Sequence, residues 1–127
     1  MNMRRRSGLS SVAVLILAIP LWAHHGVSAY DMTQVTTVNG GVVTDFEFVN
    51  PHVQITWEVK DDQGAVQKWT AEGTTPNILY RYGWNKDTLN PGTQLKAVSG
   101  NRCKSGQNCM RLRSIALADG TELPIPQ

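Results

Sequence analysis

Val42-Val43-Thr44-Asp45-Phe46-Glu47-Phe48-Val49-Asn50-Pro51-His52-Val53-Gln54-Ile55-Thr56-Trp57-Glu58-Val59 is the stretch whose period decides the fold. Val42, Thr44, Phe46 and Phe48 alternate with Val43, Asp45, Glu47 and Val49. After the break at Asn50-Pro51 the pattern restarts. Val53, Ile55, Trp57 and Val59 take one face; His52, Gln54, Thr56, Glu58 and Lys60 take the other. A period of two held this long reads as half-buried β-strands.

The chain downstream reads as further strands. The first strand starts near Val35 and runs through Gly40-Gly41 to Val49, the glycine pair marking a bulge or bend. The second, Val53 to Lys60, ends at Asp61-Asp62-Gln63-Gly64, a hairpin turn. The third is Val66 to Glu72, with Trp69 and Ala71 inward. The period then changes. Thr75 as N-cap, Pro76 at the first position and Gly83 as C-cap frame a helix of about two turns, with Ile78, Leu79 and Tyr82 as its apolar face. Trp84 is expected to pack back onto the sheet. A turn at Leu89-Asn90-Pro91-Gly92 leads to a fourth strand, Thr93 to Gly100. The fifth, Met110 to Leu117, has inward residues Met110 and Leu112, then Ile115 and Leu117; the slip in phase requires a bulge near Ser114.

Three strands, a short helix and two strands is the order of an all-β fold with one helix, a five-stranded OB-like barrel in which the helix plugs the barrel between strands three and four. A small β-sandwich is the competing architecture; the single capped helix at that position favours the barrel.

The upstream part reads as export machinery. Arg4, Arg5 and Arg6 precede an apolar run, Leu9 to Leu21, and small residues follow. This is the layout of a secretory signal peptide, 1–23, and the run is short of the roughly 20 residues of a membrane span. Cleavage after Ala23 leaves His24 first; cleavage after Ala29 removes both His24 and His25. The Ala23 site, closer to the apolar run, is favoured. Residues 24–34 are then an arm and 35–127 the barrel domain. Periplasmic localisation is the expectation, with no stable membrane anchor after processing.

Charge follows the same division. Three of the twelve basic residues lie in the signal segment, which leaves nine against ten acidic ones. The overall basic balance therefore says nothing for nucleic acid. Cys103 and Cys109 lie six apart in C-K-S-G-Q-N-C. In an oxidising compartment a structural disulfide is the first reading. A redox pair or a metal site is less natural, the former usually being C-x-x-C.

Several segments together resemble a family of small exported bacterial proteins of unknown function. These are Ala23-His24-His25, Val49-Asn50-Pro51-His52-Val53, Glu72-Gly73 with Pro76-Asn77, Arg81-x-Gly83-Trp84, Leu89-x-Pro91-Gly92, and Arg111-Leu112-Arg113-Ser114 leading to Leu117-Ala118-Asp119-Gly120. The resemblance spans nearly all of the mature chain. It implies periplasmic location and a small β domain, and brings no activity with it. The cysteine pair looks like an addition to that pattern.

The chain has three histidines, His24, His25 and His52. After cleavage at Ala23, the α-amine and the His24 imidazole can chelate one metal ion, and His52 can supply a further nitrogen. His25 offers an amine, amide and imidazole alternative. Such nitrogen sets suit tetragonal Cu(II), and Met32 or Met110 could add a soft ligand for Cu(I). The plain alternative is a polar terminus and a histidine that caps the Pro51 turn. Arg81, with Arg102, Lys104, Arg111 and Arg113, offers a basic strip for a periplasmic or membrane protein partner. Single-stranded nucleic acid would need exposed aromatics, and most Trp and Phe here read as core. Asp45 and Glu47 could pass for paired carboxylates, but the chain contains no G-x-S-x-G, H-E-x-x-H or phosphate loop. The expectation is a non-catalytic binding or accessory module that uses copper, or, alternatively, a metal-free subunit of a periplasmic or membrane complex.

Overall fold

The fold is described from a computed structural model, in which residues 26–126 are described. The expectations for the signal segment, His24 and His25 lie outside those residues.

Six strands, β1 (Thr36–Asn39), β2 (Val42–Glu47), β3 (Gln54–Lys60), β4 (Val66–Glu72), β5 (Leu95–Arg102) and β6 (Cys109–Leu117), and one helix, α1 (Pro76–Tyr80), make up the domain. The strands form one sheet in the order β1-β5-β6-β4-β3-β2. All neighbours are antiparallel except β4 and β6, which pair in parallel over Thr70 to Glu72.

The expected five-stranded OB-like barrel is corrected. The sheet has six strands and is open, with β1 and β2 as its two edges. The reason is Gly40-Gly41. Both residues have positive φ (74° and 114°) and divide the predicted first strand in two. The first half pairs with β5 and the second with β3. Around the break, Gly40 N–H donates to Lys96 O (2.8 Å) and Leu95 N–H to Gly41 O (2.9 Å). The two edges thus meet end to end, through a two-residue link, as the sheet wraps round its core.

That core is what the alternation in β3 and β4 predicts. Val53, Ile55, Trp57, Trp69 and Ala71 are all buried, with Val98, Met110, Leu112 and Ile115 closing over them from β5 and β6. The Trp57 and Trp69 rings stack with centroids 6.1 Å apart. Burying one such indole contributes roughly 4–6 kcal/mol, by area. The bulge expected near Ser114 is present as a register shift at Arg113, between the Ser99–Ser114 and Gly100–Leu112 pairs.

Two face assignments are corrected. Val43, not Val42, is buried, and Phe46 and Phe48 share its side. A second register shift makes Thr44 an extra residue between Val43 and Asp45, and this reverses the phase. On α1 only Leu79 is buried; Ile78 and Tyr82 are exposed. The helix has five residues, too short to lay a continuous apolar stripe on the sheet. Its end is closed as expected: Gly83, at φ 87°, donates to Tyr80 O (3.1 Å), and Trp84 N–H donates to Leu79 O (3.1 Å). Trp84 is buried and its Nε1–H donates to Pro124 O at 2.7 Å, which holds the C-terminal tail. Cys103 and Cys109 are disulfide-bonded at the tip of the β5–β6 hairpin, a short closure that stabilises by roughly 2 kcal/mol on loop entropy.

Candidate functional site

His52 lies just before β3, after the cis Asn50–Pro51 peptide. Val53 and Ile55 are buried, so the alternation turns His52 and Gln54 to the outer face. In the β3–β4 ladder Gln54 faces Glu72, so Glu72 shares that outer face and is the diagonal neighbour of His52. The result is a close pair: His52 Nδ1 lies 2.8 Å from Glu72 Oε1. A carboxylate can only accept, so Nδ1 carries the proton and Nε2 is left outside the pair.

The other carboxylate oxygen is used by the arm. The Tyr30 hydroxyl donates to Glu72 Oε2 at 3.0 Å. Tyr30 is buried and bridges to Cys103. Burial, first, and the neighbouring Glu72 charge, second, push its hydroxyl up to about 12; Arg111 opposes them weakly. One carboxylate therefore ties together a histidine before β3 and a tyrosine from the arm.

The arm is held by further bonds. Asp31 N–H donates to Arg102 O (2.8 Å) and Lys104 N–H to Ala29 O (2.9 Å). Asn101 is buried; its Nδ2 donates to Asp31 O (3.2 Å) and Gln34 O (2.7 Å), while its Oδ1 accepts from Arg113 Nε (2.7 Å). Thr33 hydroxyl and N–H both donate to the Asp31 carboxylate and hold it below the usual range.

The four arginines of the predicted basic strip occupy separate environments. Arg102 stacks over the Trp69 ring, 5.0 Å from its centroid, and donates to Asn108 Oδ1 (3.4 Å). Arg113 is engaged with Asn101. Arg111 lies across from both Asn101 and Glu72 in the β6 ladders. Arg81 ends α1 and is exposed. Met110 is buried and Met32 exposed. Asp45 and Glu47 are exposed strand residues.

Among the described residues, no three His, Cys, Asp or Glu side chains converge as a metal site. His52 stands with Glu72 alone. Tyr30, Glu72 and Asn101 are the site-building residues that the strand pattern did not single out. Tyr30 is the one aromatic of the arm, and Glu72 has the strand parity of Gln54; their meeting with His52 depends on the fold.

A small β domain with a carboxylate-bridged histidine and tyrosine on its outer face is thus the class defined by fold and site. Residues 12–111 match the model of a family of unknown function, DUF6152, and the chain belongs to that family. No curated protein and no solved structure matches the chain. Among the described residues no helix is long and apolar enough to cross a membrane.

Proposed function

We propose that this chain is an exported, periplasmic, non-catalytic binding module that holds Cu(II) through its processed N-terminus, His24, His25 and His52. The observation that carries the reading is the Glu72 bridge. A histidine that donates one ring N–H to a carboxylate is oriented to offer its other nitrogen to a metal, and His52 Nδ1 is so held by Glu72. The same carboxylate holds Tyr30, five residues after His25. An extended chain covers roughly 3.5 Å per residue, so His25 is tethered within about 18 Å of Tyr30, and His52 is a neighbour of that anchor. Amine and imidazole nitrogens suit Cu(II).

Intact mass of periplasmic protein, followed by copper titration, tests the reading. A chain starting at His24 with a visible d–d band that His52→Ala weakens supports it. A chain starting at Tyr30, or a titration without such a band, overturns it.

A second reading, a metal-free subunit of a periplasmic or membrane complex, is favoured by α1. Tyr80 is 71% exposed, and Ile78, Tyr82 and Arg81 are exposed beside it. Tyr and Arg are the residues that most often anchor protein interfaces. Co-purification of a partner that survives His52→Ala and is lost with Tyr80→Ala selects this reading; a partner lost with His52→Ala, or no partner at all, rejects it.

A further inference from the structure

We propose that the cleft between the arm and the outer face of β3 and β4 binds a neutral polyhydroxylated ligand, a sugar of one or two rings. The proposal stands apart from the copper reading. The cleft has a volume of about 270 Å³, which is below the range of drug-sized sites and suits a smaller molecule. Its polar lining comes from four segments: Tyr30 of the arm, Gln54 of β3, Thr70 and Glu72 of β4, and Ser105 and Gln107 of the disulfide hairpin.

The chemistry of that set is specific. No lysine or arginine lines the cleft, and its one charged lining residue is a carboxylate. Phosphates and nucleotides, which need cations or oriented N–H donors, are therefore disfavoured. The remaining groups are hydroxyls and amides that both donate and accept. Among the described residues the side chains of Gln54, Thr70 and Gln107 make no hydrogen bond within the protein, so their capacity is free for a ligand. Glu72 accepts one bond on each oxygen and retains lone pairs for ring hydroxyls. A sugar hydroxyl is likewise donor and acceptor at once, so several of them can be matched by such a ring of groups. The C–H faces of the sugar need apolar surface, and Ala29 and the Cys103–Cys109 bridge, all half-buried, supply it.

The test is a chemical-shift titration of the metal-free mature protein, kept with a chelator, against glucose, N-acetylglucosamine, maltose and inorganic phosphate. The expected result is saturable binding of at least one sugar, with shifts centred on Gln54, Thr70 and Gln107. The double variant Gln54→Ala/Gln107→Ala should weaken it by about tenfold or more, since each lost hydrogen bond is worth about 1 kcal/mol. Both substitutions are at exposed positions, so the fold is expected to survive, and Asp62→Ala, exposed and outside the cleft lining, should leave binding unchanged. Absence of saturation with all three sugars at millimolar concentration overturns the proposal. So does sugar binding indifferent to the double variant, or phosphate binding more tightly than any sugar. Using metal-free protein keeps this outcome separate from the fate of the copper reading.

Discussion

Glu72 shares its carboxylate between His52, whose Nδ1 is 2.8 Å from Oε1, and Tyr30, whose hydroxyl is 3.0 Å from Oε2. The two partners are 22 residues apart and come from segments on either side of β1 and β2. If Glu72 orients His52 for a metal, Glu72→Gln should keep the fold and lower copper affinity by about 10–100-fold, the usual effect of removing such a supporting carboxylate. Competition titration against a chelator of known affinity measures it. An unchanged affinity separates Glu72 from the metal.

Tyr30 makes stability fall in alkali. Its folded value, about 12, lies above the ordinary 10. Below pH 10 both folded and unfolded chains hold the proton, and the stability is fully present. Between pH 10 and 12 the unfolded chain releases it first, so stability falls as pH rises and levels off above 12. The loss is below the roughly 2.7 kcal/mol that a full shift from 10 to 12 would carry, because solvent screens part of the interaction. Urea melts across this range should show that step in the wild type, and Tyr30→Phe should lack it.

Asn101 holds the arm with both amide hydrogens. Asn101→Asp places an acceptor against the Asp31 and Gln34 carbonyls. It should cost about 2–3 kcal/mol, as expected for buried polar groups left unpaired. Hydrogen exchange should speed up at Asp31 and Lys104, the two amides whose backbone bonds tie the arm to the β5–β6 hairpin, while β3 amides stay protected.

Gly41→Ala should be the more damaging change. An added Cβ would lie 2.7 Å from Trp57 Cδ1 and 2.8 Å from Glu58 O, at φ 114°. Strain at that φ and displacement of a buried indole together should cost about 3 kcal/mol or more. Gly106→Ala, also at positive φ but in open space, should cost only about 1 kcal/mol. Thermal melts of the two variants compare them directly.

Much of the sheet was legible in the residues, and the reasons are local. β3 and β4 alternate cleanly from Val53 to Ala71, and the Ser114 region announced its bulge by a slip in apolar phase. The Thr44 bulge announced nothing, because Val42 and Val43 are both apolar and either could face inward. Gly40-Gly41 signalled a bend, but whether it bends or divides a strand is decided by which partner each half finds. The site was half legible. His52 stood out as one of three histidines after a proline break. Glu72 and Tyr30 join it only through the β3–β4 register and the docking of the arm on Cys103, contacts that no local pattern encodes.

Copper ligation by His52 is tested most directly by the electron paramagnetic resonance spectrum of the mature protein loaded with one equivalent of Cu(II), compared with His52→Ala. The wild type should give a tetragonal, nitrogen-rich spectrum, and the variant a changed spectrum with weaker binding as one imidazole is lost. An identical spectrum and affinity in both proteins would contradict it and leave His52 as the partner of Glu72 alone.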